Sequence, residues 1–277
     1  VINPMVTIGE YGSDALRMGV VMNRSAGQNQ GFSTATVLAG RNFCNKLWNI
    51  ARFIESKIDD TTEARATPET IADHWILSKI DVARTTIEKQ LTQYRFAEAA
   101  DMVYHTIWDD VADWYLEASK TAPNQPLLLY VLETILKLAH PFAPFVTEAI
   151  WTTLERDTTP LIVTPWPEAV EFNDIASAEF EQLKSLVTEA RFVARELPGA
   201  KQTLLYEHDS LIGDNAVLIQ RLAGLAVVTH VDQPSGLRLA VPNREAWLQI
   251  DADTLYEHQT KLESRLADTR ERVHKLQ

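Results

Sequence analysis

Phe43, Leu47, Ile50 and Ile54 recur three or four residues apart, the spacing of one face of an α-helix. The same period returns in three further runs of similar length. About 67–94 carries Ile71, Trp75, Ile80, Ile87 and Leu91, and about 96–121 carries Val103, Ile107, Val111 and Trp114. The fourth, about 127–154, is interrupted by His140-Pro-Phe-Ala-Pro-Phe145. Long amphipathic helices with short connections bury their stripes against one another, so 33–157 is expected to be a helical bundle. Thr67, Pro68 and Glu69 read as cap, first residue and first-turn acid of the second helix. Pro141 and Pro144 predict a bend or break between about Leu138 and Phe145, with Phe142 and Phe145 buried.

The flanks have a different texture. Residues 10–24 suggest a short helix capped by Ser13 and striped by Leu16, Val20 and Val21; Gly27–Gly31 reads as a polar turn. Pro160-Leu-Ile-Val-Thr-Pro-Trp-Pro167 is extended, which marks 158–172 as a linker. Beyond it, 173–250 mixes helical stretches (about 175–196 and 215–223) with strand-like ones (202–207, 225–231 and 236–241), the pattern of a small α+β unit. Leu255, Leu262, Leu266, Val273 and Leu276 then follow a heptad frame, so 251–277 is expected to be a coiled-coil arm. The expected fold is therefore mainly α: a helical bundle, a small α+β unit and a C-terminal coiled-coil helix. The chain opens on Val1 and stops at Gln277 within a helical pattern, as a piece of a longer protein would.

Several classes fall away. Cys44 is the sole cysteine, which excludes an internal disulfide and a cysteine-rich zinc site and fits a reducing compartment. No apolar run is long enough to span a membrane. There is no glycine-rich phosphate loop, metal-ligand spacing or nucleophile–base set, so no catalytic residue is assigned. His74 and His140 read as structural histidines, Asp109, Asp110 and Asp113 as a solvated acidic face, and Cys44 as packing. No metal is expected at any of them.

Net charge is −12, yet the first 57 residues carry six basic and three acidic side chains, and no acid lies between Ala15 and Ile54. Within that stretch, Arg41, Asn42, Asn45, Lys46, Asn49 and Arg52 gather opposite the apolar stripe, with Phe53 at the margin. Cations for phosphates, amides that both donate and accept, and an edge aromatic for stacking are what an unstacked RNA loop requires. An ordinary solvated helix face more commonly alternates Glu with Lys.

Arg41-Asn-Phe-Cys-Asn-Lys-Leu-Trp-Asn-Ile-Ala-Arg-Phe53 resembles the signature helix of the anticodon-binding domain in the valyl-tRNA synthetase family of class I synthetases. Glu10-Tyr-Gly-Ser-Asp-Ala-Leu-Arg17, Gly27-Gln28, Trp75-Ile-Leu-Ser78, Asp113-Trp-Tyr-Leu-Glu117, His140–Phe145 and Trp166-Pro167 match in order. The resemblance implies that 1–32 is a connector following a catalytic domain. It implies that Lys46 and Asn49 bond to anticodon-loop nucleotides and that Phe53 stacks on a base. The implied partner is tRNA(Val), with neither DNA nor membrane. ATP and magnesium are implied for the catalytic part of a cytoplasmic, monomeric parent, and no cofactor for this piece. An arm cut at 277 could let the piece self-associate. An isoleucyl or leucyl sibling, or a helical interaction module without RNA, stands as the alternative.

Overall fold

A computed structural model describes residues 3–22, 33–154, 159–197 and 201–276. The chain is mainly α, and it divides into two compact units, Val1–Ala178 and Glu179–Gln277. The expected turn at Gly27–Gly31 lies outside the described residues.

The first unit opens with α1 (Pro4–Tyr11) and α2 (Ser13–Val21). The sequence reading did not anticipate α1, although Asn3 caps it through Met5 N–H (3.0 Å) and Pro4 occupies its first turn. Ser13 is the first helical residue of α2 rather than its cap. The buried residues of α2 are Asp14, Ala15 and Met18, not Leu16 and Val20. Helix α2 lies close against α3 (Thr34–Glu55) because glycine permits it. A Cβ on Gly40 would sit 2.6 Å from the Ala15 carbonyl oxygen, so no larger residue fits without moving backbone.

Helix α4 (Ile71–Thr92) starts later than Thr67-Pro68 suggested. Thr70 caps Asp73 N–H (3.2 Å), and the Asp73 carboxylate returns to the amides of Glu69 (3.0 Å) and Thr70 (3.1 Å), a reciprocal capping box. The third run is not one uniform helix. It comprises α5 (Phe96–His105), a π-helical stretch Thr106–Tyr115 and α6 (Leu116–Ser119). Its buried side includes Val103, Ile107, Val111 and Tyr115.

The fourth run breaks as the prolines require, into α7 (Gln125–Ala139) and α8 (Pro144–Thr153). Phe142 is buried, but Phe145 is 64% exposed: it sits on the outer side of α8, and only its backbone faces inward. The His140 ring bonds Thr147 Oγ1 (2.8 Å); that hydroxyl donates to the Ala143 carbonyl (2.8 Å), so His140 Nδ1–H is the donor to it.

In the second unit, β1 (Thr203–Tyr206), β2 (Val227–His230), β3 (Leu237–Arg238) and β4 (Ala246–Leu248) form a sheet of order β2-β1-β4-β3. Strands β1 and β2 are parallel, and α10 (Ser210–Asp214) and α11 (Ala216–Ala223) form the crossover between them. The short β4 was not anticipated. Helix α9 (Asp174–Glu196), within which the two units divide, buries Phe180, Leu183, Leu186, Val187 and Ala190. Helix α12 (Ala252–Leu276) follows, with Leu262, Leu266 and Val273 of the heptad frame exposed; the side chain of Leu276 lies outside the described residues.

Candidate nucleic-acid interface

Helix α3 is fixed by its apolar side: Phe43, Leu47, Ile50 and Ile54 are fully or almost fully buried. At about 100° per residue, the seven expected site residues then fall within an arc of about 140° on the other side. Arg41, Asn42, Asn45, Asn49 and Arg52 are exposed, and Lys46 and Phe53 are half-buried at one edge.

The two edges differ. At the first, Lys46 Nζ pairs with Asp113 Oδ1 of the π-helical stretch (2.9 Å) and stands 4.9 Å from the Trp108 ring centre. Trp108 stacks on Tyr104 (5.4 Å), which stacks on Phe43 (5.7 Å), so an aromatic column backs this edge. Phe53 lies further along the same edge. The second edge holds Arg52 and Arg41, whose guanidinium is 5.5 Å from the Tyr11 ring centre. Trp48, although apolar, is 39% exposed and shares this arginine edge.

Asn42, Asn45 and Asn49 occupy the middle, and among the described residues none makes a side-chain hydrogen bond. Each amide therefore offers two N–H donors and one acceptor oxygen to whatever approaches. The Lys46–Asp113 pair is partly exposed, and exposed pairs are worth about 0.2–1 kcal/mol, so it yields to a stronger anion.

The neighbouring titratable groups are engaged within the fold. Burial, with the Asp14 charge second, pushes the Cys44 thiol up to about 12, so it stays protonated at neutral pH. Asp109 is bound to His105 Nδ1 (2.7 Å) and Asp113 to Lys46, so both acids have cationic or protonatable partners. His74 Nδ1 accepts the Asn173 amide N–H (3.0 Å), a structural role. Among the described residues, no three His, Cys, Asp or Glu side chains gather as a metal site would need.

Other matched stretches hold the unit together. Asp14 accepts the amides of Phe145 (3.3 Å) and Val146 (2.6 Å), capping α8 from α2. Arg17 donates to the carbonyls of Pro141 (3.1 Å) and Phe142 (3.3 Å). Asp73 accepts the Tyr115 hydroxyl (3.0 Å) and Asn124 Nδ2 (3.2 Å), while Asn124 caps α7. Burial, reinforced by the Asp73 charge, drives the Tyr115 hydroxyl far above its ordinary range, so it remains a donor.

Sequence reasoning missed two cations at Phe53. Lys57 Nζ is 5.7 Å and Lys120 Nζ 5.5 Å from its ring centre. Lys57, four residues on, was within reach of a helical-spacing argument; Lys120 arrives from α6, which no local pattern reveals.

Against known families, residues 73–203 match the anticodon-binding domain of tRNA ligase. That match begins beyond α3. The chain is 33% identical over 266 residues to a valine–tRNA ligase of Geobacillus stearothermophilus, a match to 87% of this chain and 30% of that protein. It is 35% identical over 222 residues to the valine–tRNA ligase of Geobacillus kaustophilus (74% of this chain, 25% of that one). A continuous match as long as the first cannot leave out Arg41–Phe53. The chain thus spans 25–30% of the length of these two relatives. In fold it is similar to a LeuRS from Agrobacterium radiobacter K84, solved as a ternary complex with tRNA and LeuAMS. The TM-score is 0.51 at 17% identity, over 75% of this chain and 23% of that one.

Proposed function

We propose that this chain, which belongs to the valine–tRNA ligase family, binds tRNA(Val) and reads its anticodon loop with the polar face of α3. One observation carries the reading. Three adjacent asparagines make no side-chain hydrogen bond among the described residues, and they lie between an edge of arginines and an edge with a lysine and an aromatic ring. Asn42, Asn45, Asn49 and Lys46 would meet base edges, Phe53 would stack, and Arg41 and Arg52 would hold phosphates. Phosphate contacts supply affinity and base contacts supply choice.

In the longer parent, attachment of valine to tRNA belongs to a part outside this chain. ATP and magnesium act there: ATP activates the amino acid and magnesium neutralises its phosphates. Residues 1–32 would connect to that part, 33–157 form the anticodon-binding bundle, 158–172 the linker, 173–250 the α+β unit and 251–277 the arm. The parent's setting would be the cytoplasm; no helix among the described residues is long and apolar enough to cross a membrane. The exposed Leu262, Leu266 and Val273 would favour self-association of this chain through α12, while the longer parent would be a monomer. The isoleucyl or leucyl alternative has a likeness of fold behind it, but the sequence relatives described above are valine enzymes.

Titrating the chain with a valine tRNA and with the same tRNA carrying a swapped anticodon tests the reading. Tighter, steeply salt-dependent binding of the first is expected. Equal binding of the two, or none, would remove it.

A further inference from the structure

Lys57 and Lys120 approach the Phe53 ring from different elements, one just beyond the end of α3 and the other from the end of α6. With their ammonium groups 5.7 and 5.5 Å from one ring centre, the two cations can be no further apart than about 11 Å. Two exposed cations at that distance repel each other at low salt, where the Debye length is longer still. A contact of this kind at an exposed site returns only about 0.5–1 kcal/mol. Lys120 also pairs with Glu117, but among the described residues Lys57 meets only the Phe53 ring.

A ligand that takes the ring face from these flexible lysines and offers them negative charge at its margins would relieve this repulsion. A nucleotide base stacked on Phe53 does so, because its own chain carries a phosphodiester on either side. We propose that Lys57 and Lys120 form a phosphate clamp that holds the RNA backbone on both sides of the base stacked on Phe53. The proposal rests on the reading of α3 as the RNA face and adds two residues and a defined task to it. The clamp reads no base: it positions the strand so that the asparagines can.

The test uses the whole chain, unchanged and as the double variant Lys57→Gln/Lys120→Gln, which keeps side-chain length and removes charge. Each is titrated with an RNA hairpin carrying the anticodon arm of a valine tRNA, between about 50 and 200 mM salt. The plot of log affinity against log salt should be shallower in the double variant by about 1.4, or about 0.7 per single-strand phosphate. The affinity ratio of this hairpin to an anticodon-swapped one should not change. Methylphosphonate linkages scanned along the loop should include positions that weaken the unchanged chain and leave the double variant unaffected. An unaltered slope, or a changed ratio, would overturn the clamp. If Phe53→Ala still loses affinity in that case, the reading of α3 survives alone. If the unchanged chain binds neither hairpin, both fall together.

Discussion

Asp14 and Asn49 lie in the same helical unit, and each belongs to a stretch by which the chain resembles its relatives; their surroundings are opposite. Asp14 is buried and spends its carboxylate on two backbone amides of α8. Asn49 is exposed, and its amide bonds to nothing among the described residues. The same division separates Asp73, Tyr115 and Arg17 from Asn42, Asn45 and Arg52. A residue in such a stretch serves either the fold or the ligand, and its hydrogen bonds tell the two apart. A saturated polar group has no capacity left for a partner, while an idle one costs nothing only because water serves it until a partner comes.

The sharpest way to break that comparison is at its saturated end. Asp73→Ala would orphan the Tyr115 hydroxyl and two backbone amides and would leave Asn124 Nδ2 with only its bond to the Thr67 carbonyl. Urea unfolding should show a loss of at least about 3 kcal/mol. A loss below about 1 kcal/mol would mean that the network is decorative. Asp14→Ala should cost less, about 2 kcal/mol, because it removes one cap supplied from α2. The RNA affinity of the remaining folded protein should be unchanged, and an affinity that fell with stability would blur the two classes.

At the idle end the signs reverse. Asn49→Ala should leave stability within about 0.5 kcal/mol and weaken tRNA binding by about 1.5 kcal/mol. Calorimetric melting and a binding isotherm on the same preparation check both halves. Unchanged affinity would assign Asn49 to an ordinary solvated surface.

The smallest effect contrasts two histidines. Burial, the first cause, holds His140 below the ordinary histidine value of about 6.5. The folded state then binds fewer protons than the unfolded one. Its contribution is complete above about pH 6.5 and is lost as pH falls through the depressed folded value. The hydrogen bond to Asp109 instead raises His105, whose contribution is complete below about pH 6.5 and is lost as pH rises through its folded value. Stability profiles of His140→Asn and His105→Asn should depart from the parent profile in opposite directions. Parallel departures would contradict the assigned environments.

Much of the fold was legible because it follows from periodicity and breakers. The stripe of α3, the break at Pro141 and Pro144, and the strands near 202–207 and 225–231 are local matters, and local patterns carry them. What was not legible depended on distant partners. Thr67-Pro68 looks as good a helix start as Thr70, and Thr70 prevails because Asp73 is also engaged by Tyr115 and Asn124. The π-helical stretch has the composition of an ordinary helix, and Phe145 is apolar yet faces outward because α8 needs only its backbone for the Asp14 cap. For the candidate site, the face of α3 could be drawn from spacing alone. The Lys46–Asp113 pair, the Trp108 backing and Lys120 at Phe53 required three-dimensional neighbours.

The central claim is that the idle asparagines choose the RNA. It is tested most directly by the ratio of affinities for a valine tRNA and its anticodon-swapped counterpart, measured in the unchanged chain and in Asn42→Ala/Asn45→Ala/Asn49→Ala. The account predicts a ratio well above one that collapses toward one in the triple variant, while the salt dependence stays the same. A ratio that survives the three substitutions intact would place anticodon reading elsewhere and contradict the account.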